Sequence, residues 1–420
     1  MALARGAAIA FTVALAARAA LLLASGDDPG RPLEGDERGY AAVAGSLARG
    51  DGPGFTVEGR LASGLLVEKR MEAFRAPLLP AVLTPVHAAA DGSPAALRWA
   101  CAVLGALAAP LGFAVASRLG GARAGWIAGI AIALWPSHAW LSARVLSEPL
   151  DALLLLAGAD LISRHRPAAG GAVLGLAVLC RPGGLLPAVL AVAAAASAEE
   201  SGRRLRPLVL GLAALAAVVL PWVLRNSSVV GAPVLATTSG VTLLGGNCDA
   251  ALAAEAPGKW VPPERAWRGP GGPDMGMYGW SDLGEAASSE RFATRAREWV
   301  AAHPADAARL AGWKAVRFLD PDTRSEKDDA WLKAMLGWAS WTPLLLAVVL
   351  ALSQAARRGE PEVRAAAALL LGHLAVALVA YGDARMRAPV EPALIALLAA
   401  PWLAGARIGA APRSPGTLLS

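Results

Sequence analysis

The sequence predicts an all-α polytopic membrane protein, on three observations. Apolar runs near twenty residues recur along the whole 420-residue chain; a helix needs about that length to cross hydrocarbon about 30 Å thick. Hydrophobic residues make up 55% of the chain and charged ones 17%, where soluble domains carry about 25% charged. The net charge of +6 fits basic loops facing anionic lipid. A nucleic-acid partner would need a basic soluble patch, and the sequence contains none. Cys101 and Cys180 fall in apolar runs and Cys248 in a loop, without a CxxC pair. No disulfide framework or metal site is expected from them.

The first apolar run spans residues 6–25 and lacks a convincing cleavage site, so it reads as a retained helix. Arg5 precedes it, which places its basic end inside and the next segment outside. Arg18 within the run is costly unless it turns into the bundle or snorkels. Residues 26–75 are polar. Within them Tyr40, Val43, Ala44 and Leu47 recur at helical spacing and Gly50 suits the position after a helix end. This stretch predicts a helix on the membrane surface. Asp36 before it suits an N-cap, worth about 1 kcal/mol.

The run 76–90 is short and holds Pro77, Pro80 and Pro85, which predicts a re-entrant or interfacial element. Later spans then fall near 95–118, 122–142, 146–163, 168–181, 183–198, 207–225, 333–354, 364–381 and 388–406. The turns with Arg118/Arg123, Arg164/Arg166, Arg203/Arg204/Arg206 and Arg357/Arg358/Arg364, and the tail with Arg407 and Arg413, all face the cytoplasm on this count. A bundle of about 10–11 transmembrane helices results. The expected organisation is a membrane region 1–225 containing a first outer loop (26–75), a partly helical outer-face subdomain 226–330, C-terminal transmembrane helices 331–406, and a cytoplasmic tail 407–420. In the outer subdomain Phe292, Ala296, Trp299 and Val300 share a helical face; His303-Pro304 breaks it, and a second helix runs through Trp313 and Phe318.

Six local patterns occur in one order. They are Gly35-Asp36-Glu37-Arg38-Gly39-Tyr40 with Ala44, Leu47 and Gly50; Phe74-Arg75-Ala76-Pro77-Leu78-Leu79-Pro80; and Leu146-Ser147-Glu148-Pro149-Leu150. Then come Cys180-Arg181-Pro182; Pro221-Trp222-Val223-Leu224-Arg225-Asn226 with Gly245-Gly246-Asn247; and Arg385-Met386-Arg387-Ala388-Pro389-Val390-Glu391-Pro392. Together they resemble motifs of the GT-C glycosyltransferases, in particular the bacterial relatives of protein O-mannosyltransferases and of the lipid A aminoarabinose transferase (glycosyltransferase family 39-like). The resemblance implies a GT-C-like bundle in the cell (inner) membrane, with its active site on the extracytoplasmic side. It also implies transfer of a sugar from a polyprenyl-phosphate carrier to an acceptor, which is a lipid, a polysaccharide or a protein.

Such a transfer needs a base for the acceptor proton and cations for the phosphate leaving group. Asp36 is the candidate base, a role worth about 10²–10⁴-fold, and implies inversion at the anomeric carbon. Glu37 is the alternate base or an orienting neighbour, and in the resembling family the first acid of the pair is usually the base. Arg75, Arg181, Arg225, Arg385 and Arg387 fall at outer ends of spans, where the positive-inside rule disfavours Arg. Arg75, Arg225, Arg385 and Arg387, with Asn247, are the candidates for the donor phosphate. Tyr40, Glu148 and Arg181 are expected to orient or support them, as is Asp383. Lys314 and Asn247 are equally open to roles in sugar contact and in structure; the outer-loop Trp stack on sugars or anchor at the interface. The five His have no ligand spacing; no cofactor is expected, and nothing in the sequence calls for the divalent cation that some relatives bind. Two competing readings remain. A transporter or flippase of a lipid-linked sugar would place ionisable residues at mid-membrane depth. A non-catalytic scaffold would leave Asp36, Arg387 and the lipid phase unconnected.

Overall fold

The computed structural model describes residues 1–24, 28–60, 66–255, 257–267, 271–320, 330–355 and 360–405. The basic residues Arg357, Arg358, Arg407 and Arg413 and the tail lie outside them. Along the membrane part the elements are α1 (Ala2–Ala24), α2 (Asp36–Ala48), a hairpin of β1 (Phe55–Arg60) and β2 (Leu66–Met71), and α3 (Leu78–Ala89). These are followed by α4 (Pro94–Ala106), α5 (Ala108–Leu134), α6 (Pro136–Ser142), α7 (Glu148–Ser163), α8 (Pro167–Cys180), α9 (Leu185–Ala196) and α10 (Leu205–Val230). The second long polar segment holds α11 (Thr238–Gly246), α12 (Asp249–Leu252), α13 (Pro263–Ala266), α14 (Glu285–Ala302) and α15 (Pro304–Leu319). The chain closes with α16 (Ala330–Ala355), α17 (Pro361–Val379), α18 (Ala384–Arg387), α19 (Glu391–Leu394) and α20 (Ala400–Leu403).

The architecture is that of an all-α polytopic membrane protein. Among the described residues, Leu3–Leu23, Pro94–Leu134, Leu205–Val230 and Pro361–Val379 are long and apolar enough to cross a membrane, and shorter apolar helices lie at Pro167–Cys180 and Pro182–Ala196. The helical run through α5 turns at Gly121, whose φ of 77° breaks the helix between the two spans that the sequence separates at 118 and 122. Small residues let the helices approach: α1 packs on α5, α7 on α8, α8 on α10 and α9 on α17. The main core is accordingly rich in Ala, with Leu155, Leu156, Leu369, Leu394 and Leu397 between the helices. Arg18 is turned fully into this bundle, where its Nη1 donates to the carbonyls of Ala14 (2.8 Å) and Ala133 (3.0 Å).

α2 ends as its sequence implies, with Gly50 at φ 83° just past the end. Two expectations about it change. Its apolar face does not serve a membrane surface: Tyr40, Ala41 and Ala44 pack on Leu79 and Leu83 of α3 and on Leu97 and Cys101 of α4. Amphipathy fixes which face is covered, not what covers it. The N-cap is Gly35 (φ 50°) and Asp36 is the first helical residue, its carboxylate free for other partners.

The β hairpin is absent from the sequence reading, although Phe55-Thr56-Val57 and Leu66-Val67 carry the alternation of strands. Its apolar face and Phe74 pack on Val43 of α2 and Met275 of the second polar segment. Further bonds join the two polar segments. Lys69 Nζ donates to the carbonyls of Tyr278 (2.9 Å) and Trp280 (3.0 Å), and the Glu285 carboxylate accepts from the backbone N–H of Glu72 (2.6 Å) and Ala73 (3.1 Å). In the second segment α14 and α15 break at His303-Pro304 as the sequence predicts. Phe292, Ala296, Trp299 and Trp280 form its core, so Trp280 and Trp299 serve packing, not sugar stacking or membrane anchoring. Val300 is 38% exposed, because a residue one step past Trp299 is rotated about 100° away from the buried stripe.

Candidate active site

The first turn of α2 presents two adjacent acids to different surroundings, since neighbouring helical residues point about 100° apart. Asp36 meets two guanidinium groups. Arg75 Nη2 donates to its Oδ1 at 2.8 Å, and Arg385 Nη2 donates to its Oδ2 at 3.0 Å. Arg75 comes from the segment entering α3 and Arg385 from α18, 349 residues beyond Asp36. The Asp36 side chain stays 31% exposed. Burial alone would raise its pKa, but the charges of Arg75 and Arg385 and their hydrogen bonds outweigh that and hold the carboxyl well below the usual carboxylate range.

The two arginines are themselves positioned. Arg75 lies across Gly39, where a Cβ would come within 2.7 Å of Nε, so only glycine leaves room for it on this turn of α2. Its guanidinium stacks over the Tyr40 ring at 5.1 Å and the Phe74 ring at 5.3 Å. Arg385 is set by Asp383, whose Oδ1 accepts its backbone N–H at 2.7 Å, and by Glu148, whose Oε1 accepts from its Nε at 2.6 Å. Arg181 Nη1 meets the same Glu148 oxygen at 2.8 Å. Tyr40 donates to Ser147 Oγ at 3.1 Å, joining α2 to the start of α7. Three guanidinium groups thus face two carboxylates in one chain of ion pairs. Glu148 Oε2 is buried with no hydrogen-bond partner among the described residues. The cluster sits at helix ends: at the start of α2 and of α7, past the end of α8 and past the end of α17.

Glu37 is the opposite case. It is 3% exposed. Arg98 clasps it through Nε–Oε1 (3.1 Å) and Nη2–Oε2 (2.9 Å), and Val145 N–H donates to Oε1 at 3.0 Å. Burial raises its pKa, but these bonds hold it below the usual range. Arg98 also donates to the carbonyls of Pro29 and Arg31, both at 2.8 Å. It thereby fixes the strand of chain leading into α2. The sequence reading missed Arg98, although a lone cation at the start of an apolar run implies an acid partner.

Of the remaining sequence candidates, three lie away from Asp36's partners. Arg225 binds the Glu72 carboxylate (Nη2–Oε2 2.9 Å) and carbonyl (2.7 Å). Arg387 is 1% exposed; it donates to Glu391 Oε1 (2.8 Å) and to the carbonyls of Phe318 and Asp320, and stacks over Trp341 at 3.9 Å. Asn247 accepts from Lys314 Nζ at 2.8 Å and donates to the carbonyls of Leu243 and Val379. Lys314 also reaches the last carbonyls of α17 at Leu378 and Val379, which favour a cation. Burial pushes its pKa down to about 8. Two aromatic residues beside the cluster were not singled out from sequence. Tyr278 packs its ring on Phe74 and feels the charges of Arg75 and Asp36; Tyr381 feels those of Arg385 and Arg181. No three His, Cys, Asp or Glu side chains gather as metal ligands among the described residues.

No family model matches the chain, and no curated protein matches it by sequence. Solved structures match it by fold. The archaeal oligosaccharyltransferase AglB from Archaeoglobus fulgidus, in complex with an inhibitory peptide and a dolichol-phosphate, superposes over 93% of the chain with a TM-score of 0.52 and 14% identity. Its apo form does so with a TM-score of 0.53 and 12% identity. The chain spans half the length of that enzyme. ArnT from Cupriavidus metallidurans bound to undecaprenyl phosphate also overlaps 92% of the chain, at 17% identity and a looser TM-score of 0.41. At these identities the likeness is one of fold alone: the chain shares the fold of the archaeal oligosaccharyltransferase over 93% of its length.

Proposed function

We propose that the chain is an integral-membrane glycosyltransferase. It moves a sugar from a polyprenyl-phosphate carrier to an acceptor hydroxyl or amine, with Asp36 as general base and Arg75 and Arg385 as the cradle for the donor phosphate. The observation that carries this reading is one carboxylate gripped on its two oxygens by arginines from distant parts of the sequence. That arrangement poses a chemical question. A base works best with a pKa near the operating pH, and the two arginines depress that of Asp36. A phosphate offers the same arginines a stronger anion of matching bidentate geometry. As Arg75 and Arg385 turn toward it, their hold on Asp36 weakens and its basicity returns as the donor binds. Asp36 then takes the acceptor proton. The acceptor oxygen or nitrogen bonds to the anomeric carbon from the opposite face while the carbon–phosphate oxygen bond breaks. The leaving phosphate keeps the electron pair, stabilised by the arginines without a general acid. A single displacement inverts the anomeric configuration.

Glu148, itself paired with Arg181, holds Arg385 in place, and Tyr40 orients the turn that carries Asp36. Tyr278 and Tyr381 wall the sugar or acceptor. Glu37, Arg225, Arg387 and Asn247 hold the fold and leave the donor to Arg75 and Arg385. The cluster's place at helix ends favours transfer over transport. The basic turns support a position on the outer face of the cell membrane, with residues 226–330 as the outer subdomain. The dolichol-phosphate in the AglB complex supports a lipid-phosphate donor.

The test is incubation of the purified protein with a panel of radiolabelled polyprenyl-phosphate sugars and membrane extract as acceptor. Label leaving the carrier with wild type but not with Asp36→Asn supports the reading. Label that stays on every carrier, or moves equally with Asp36→Asn, contradicts it.

A further inference from the structure

We propose that a cavity at the end of the bundle opposite Asp36 binds an anionic phospholipid of the surrounding bilayer. Its volume is about 550 Å³, room for a head group and the upper part of an acyl chain. α7 runs from Glu148 beside the Asp36 cluster to Ser163 beside this cavity; its length separates the two sites by about 24 Å.

Two kinds of surface meet there. Ile162, Val192 and Leu210 make an apolar floor, while His165, Arg203 and Arg206 stand at the rim. Pro167, Pro207 and Pro361 also line it. They mark the starts of α8, α10 and α17, while Ile162 and Ala195–Ala196 belong to the last turns of α7 and α9; helix ends of both signs meet there, so the charge for an anion comes from the arginines at the rim. The acid at the rim, Glu199, is engaged by His165 (Nδ1–Oε1 2.6 Å). Arg203 reaches Glu200 only at 3.8 Å, with both side chains largely exposed, a contact of little worth. Positive charge is therefore available to an anion. The floor continues into the outward face of α10, where Leu205 (70%) and Val209 (52%) are exposed. A ligand with a phosphate and an acyl chain satisfies both surfaces at once and enters sideways along α10. A water-soluble phosphate would leave the floor uncovered. Basic pockets between transmembrane helices bind anionic head groups by this combination.

The experiment measures phosphatidylglycerol against phosphatidylcholine, on the full chain in detergent, by native mass spectrometry of retained lipid and by the shift in Tm on lipid addition. Wild type retains phosphatidylglycerol and gains Tm with it but not with phosphatidylcholine. The R203E/R206E double variant binds phosphatidylglycerol at least about tenfold more weakly. R203K/R206K keeps the preference, and both variants match the wild-type Tm without lipid because the side chains are exposed. Three results overturn the proposal: no preference in wild type, a preference that survives R203E/R206E, or displacement of the lipid by millimolar inorganic phosphate.

Discussion

Asp36/Glu37 and Arg385/Arg387 are two pairs of near neighbours in sequence, and the two members of each pair meet opposite fates. Asp36 and Arg385 share a partly open cluster in which a carboxylate is over-supplied with arginine. Glu37 and Arg387 each enter a closed, fully bonded site, with Arg98 and Glu391 respectively. A rotation of one or two residues on a helix separates a group able to exchange partners from one that cannot. The closed sites define the positions from which the open one works. Arg98 ties Glu37 to the approach to α2, and Arg387 ties α18 to Glu391 and to carbonyls in and just past the last turn of α15. An ion pair that must part during a reaction needs a frame that does not.

That contrast can be broken from the closed side first. Arg98→Ala strands Glu37 in a buried site and is expected to cost about 3–5 kcal/mol of stability, read as a fall in Tm in detergent; loss of transfer should follow only from unfolding. On the open side, and on the proposed mechanism, Arg385→Gln removes a charged hydrogen bond from the donor phosphate, worth about 1.5–3 kcal/mol, and should raise KM for the donor by about one to two decades, with a smaller fall in Tm than Arg98→Ala because Glu148 keeps Arg181. It also raises the pKa of Asp36, so the acid limb of kcat/KM moves to higher pH. The stability linkage has the same origin. The folded pKa of Asp36 lies below its unfolded value of about 3.9, so its ion pairs contribute fully above about pH 4 and their contribution is lost as pH falls through the lowered value.

A third, smaller effect concerns Lys314, a buried cation with carbonyl partners. Its folded pKa of about 8 lies below the unfolded value, so the unfolded chain binds more protons between about pH 8 and 10.4 and stability rises with pH across that window. Lys314→Met should abolish that rise and cost about 1–3 kcal/mol at pH 7 by leaving Asn247 and two carbonyls without their donor. The smallest effect is expected at Val300: Val300→Ser should stay within about 0.5 kcal/mol of wild type by thermal unfolding.

The helical architecture was legible because apolar run length and basic turns both report on crossing a membrane. Gly50, Gly121 and His303-Pro304 end or break helices at or beside the places their chemistry implies. The site was legible in part. Asp36, Arg75, Glu148, Arg181 and Arg385 come from different motifs, and the fold brings them together. Sequence could not tell Arg385 from Arg387, or Asp36 from Glu37, because both members of each pair are charged and lie on the same short turn. Their partners differ, and those lie up to 349 residues away. Tyr278 was missed for a related reason: its neighbours Phe55 and Phe74 sit on a hairpin and loop about 200 residues earlier. The hairpin itself was hidden by the polar composition of residues 26–75.

The most direct measurement is the single-turnover rate of sugar transfer by Asp36→Asn, taken beside its Tm, with a donor that wild type accepts. A rate reduced by about 10²–10⁴-fold at a Tm near that of wild type is the predicted result. A wild-type rate would show that the carboxylate between Arg75 and Arg385 is not the base.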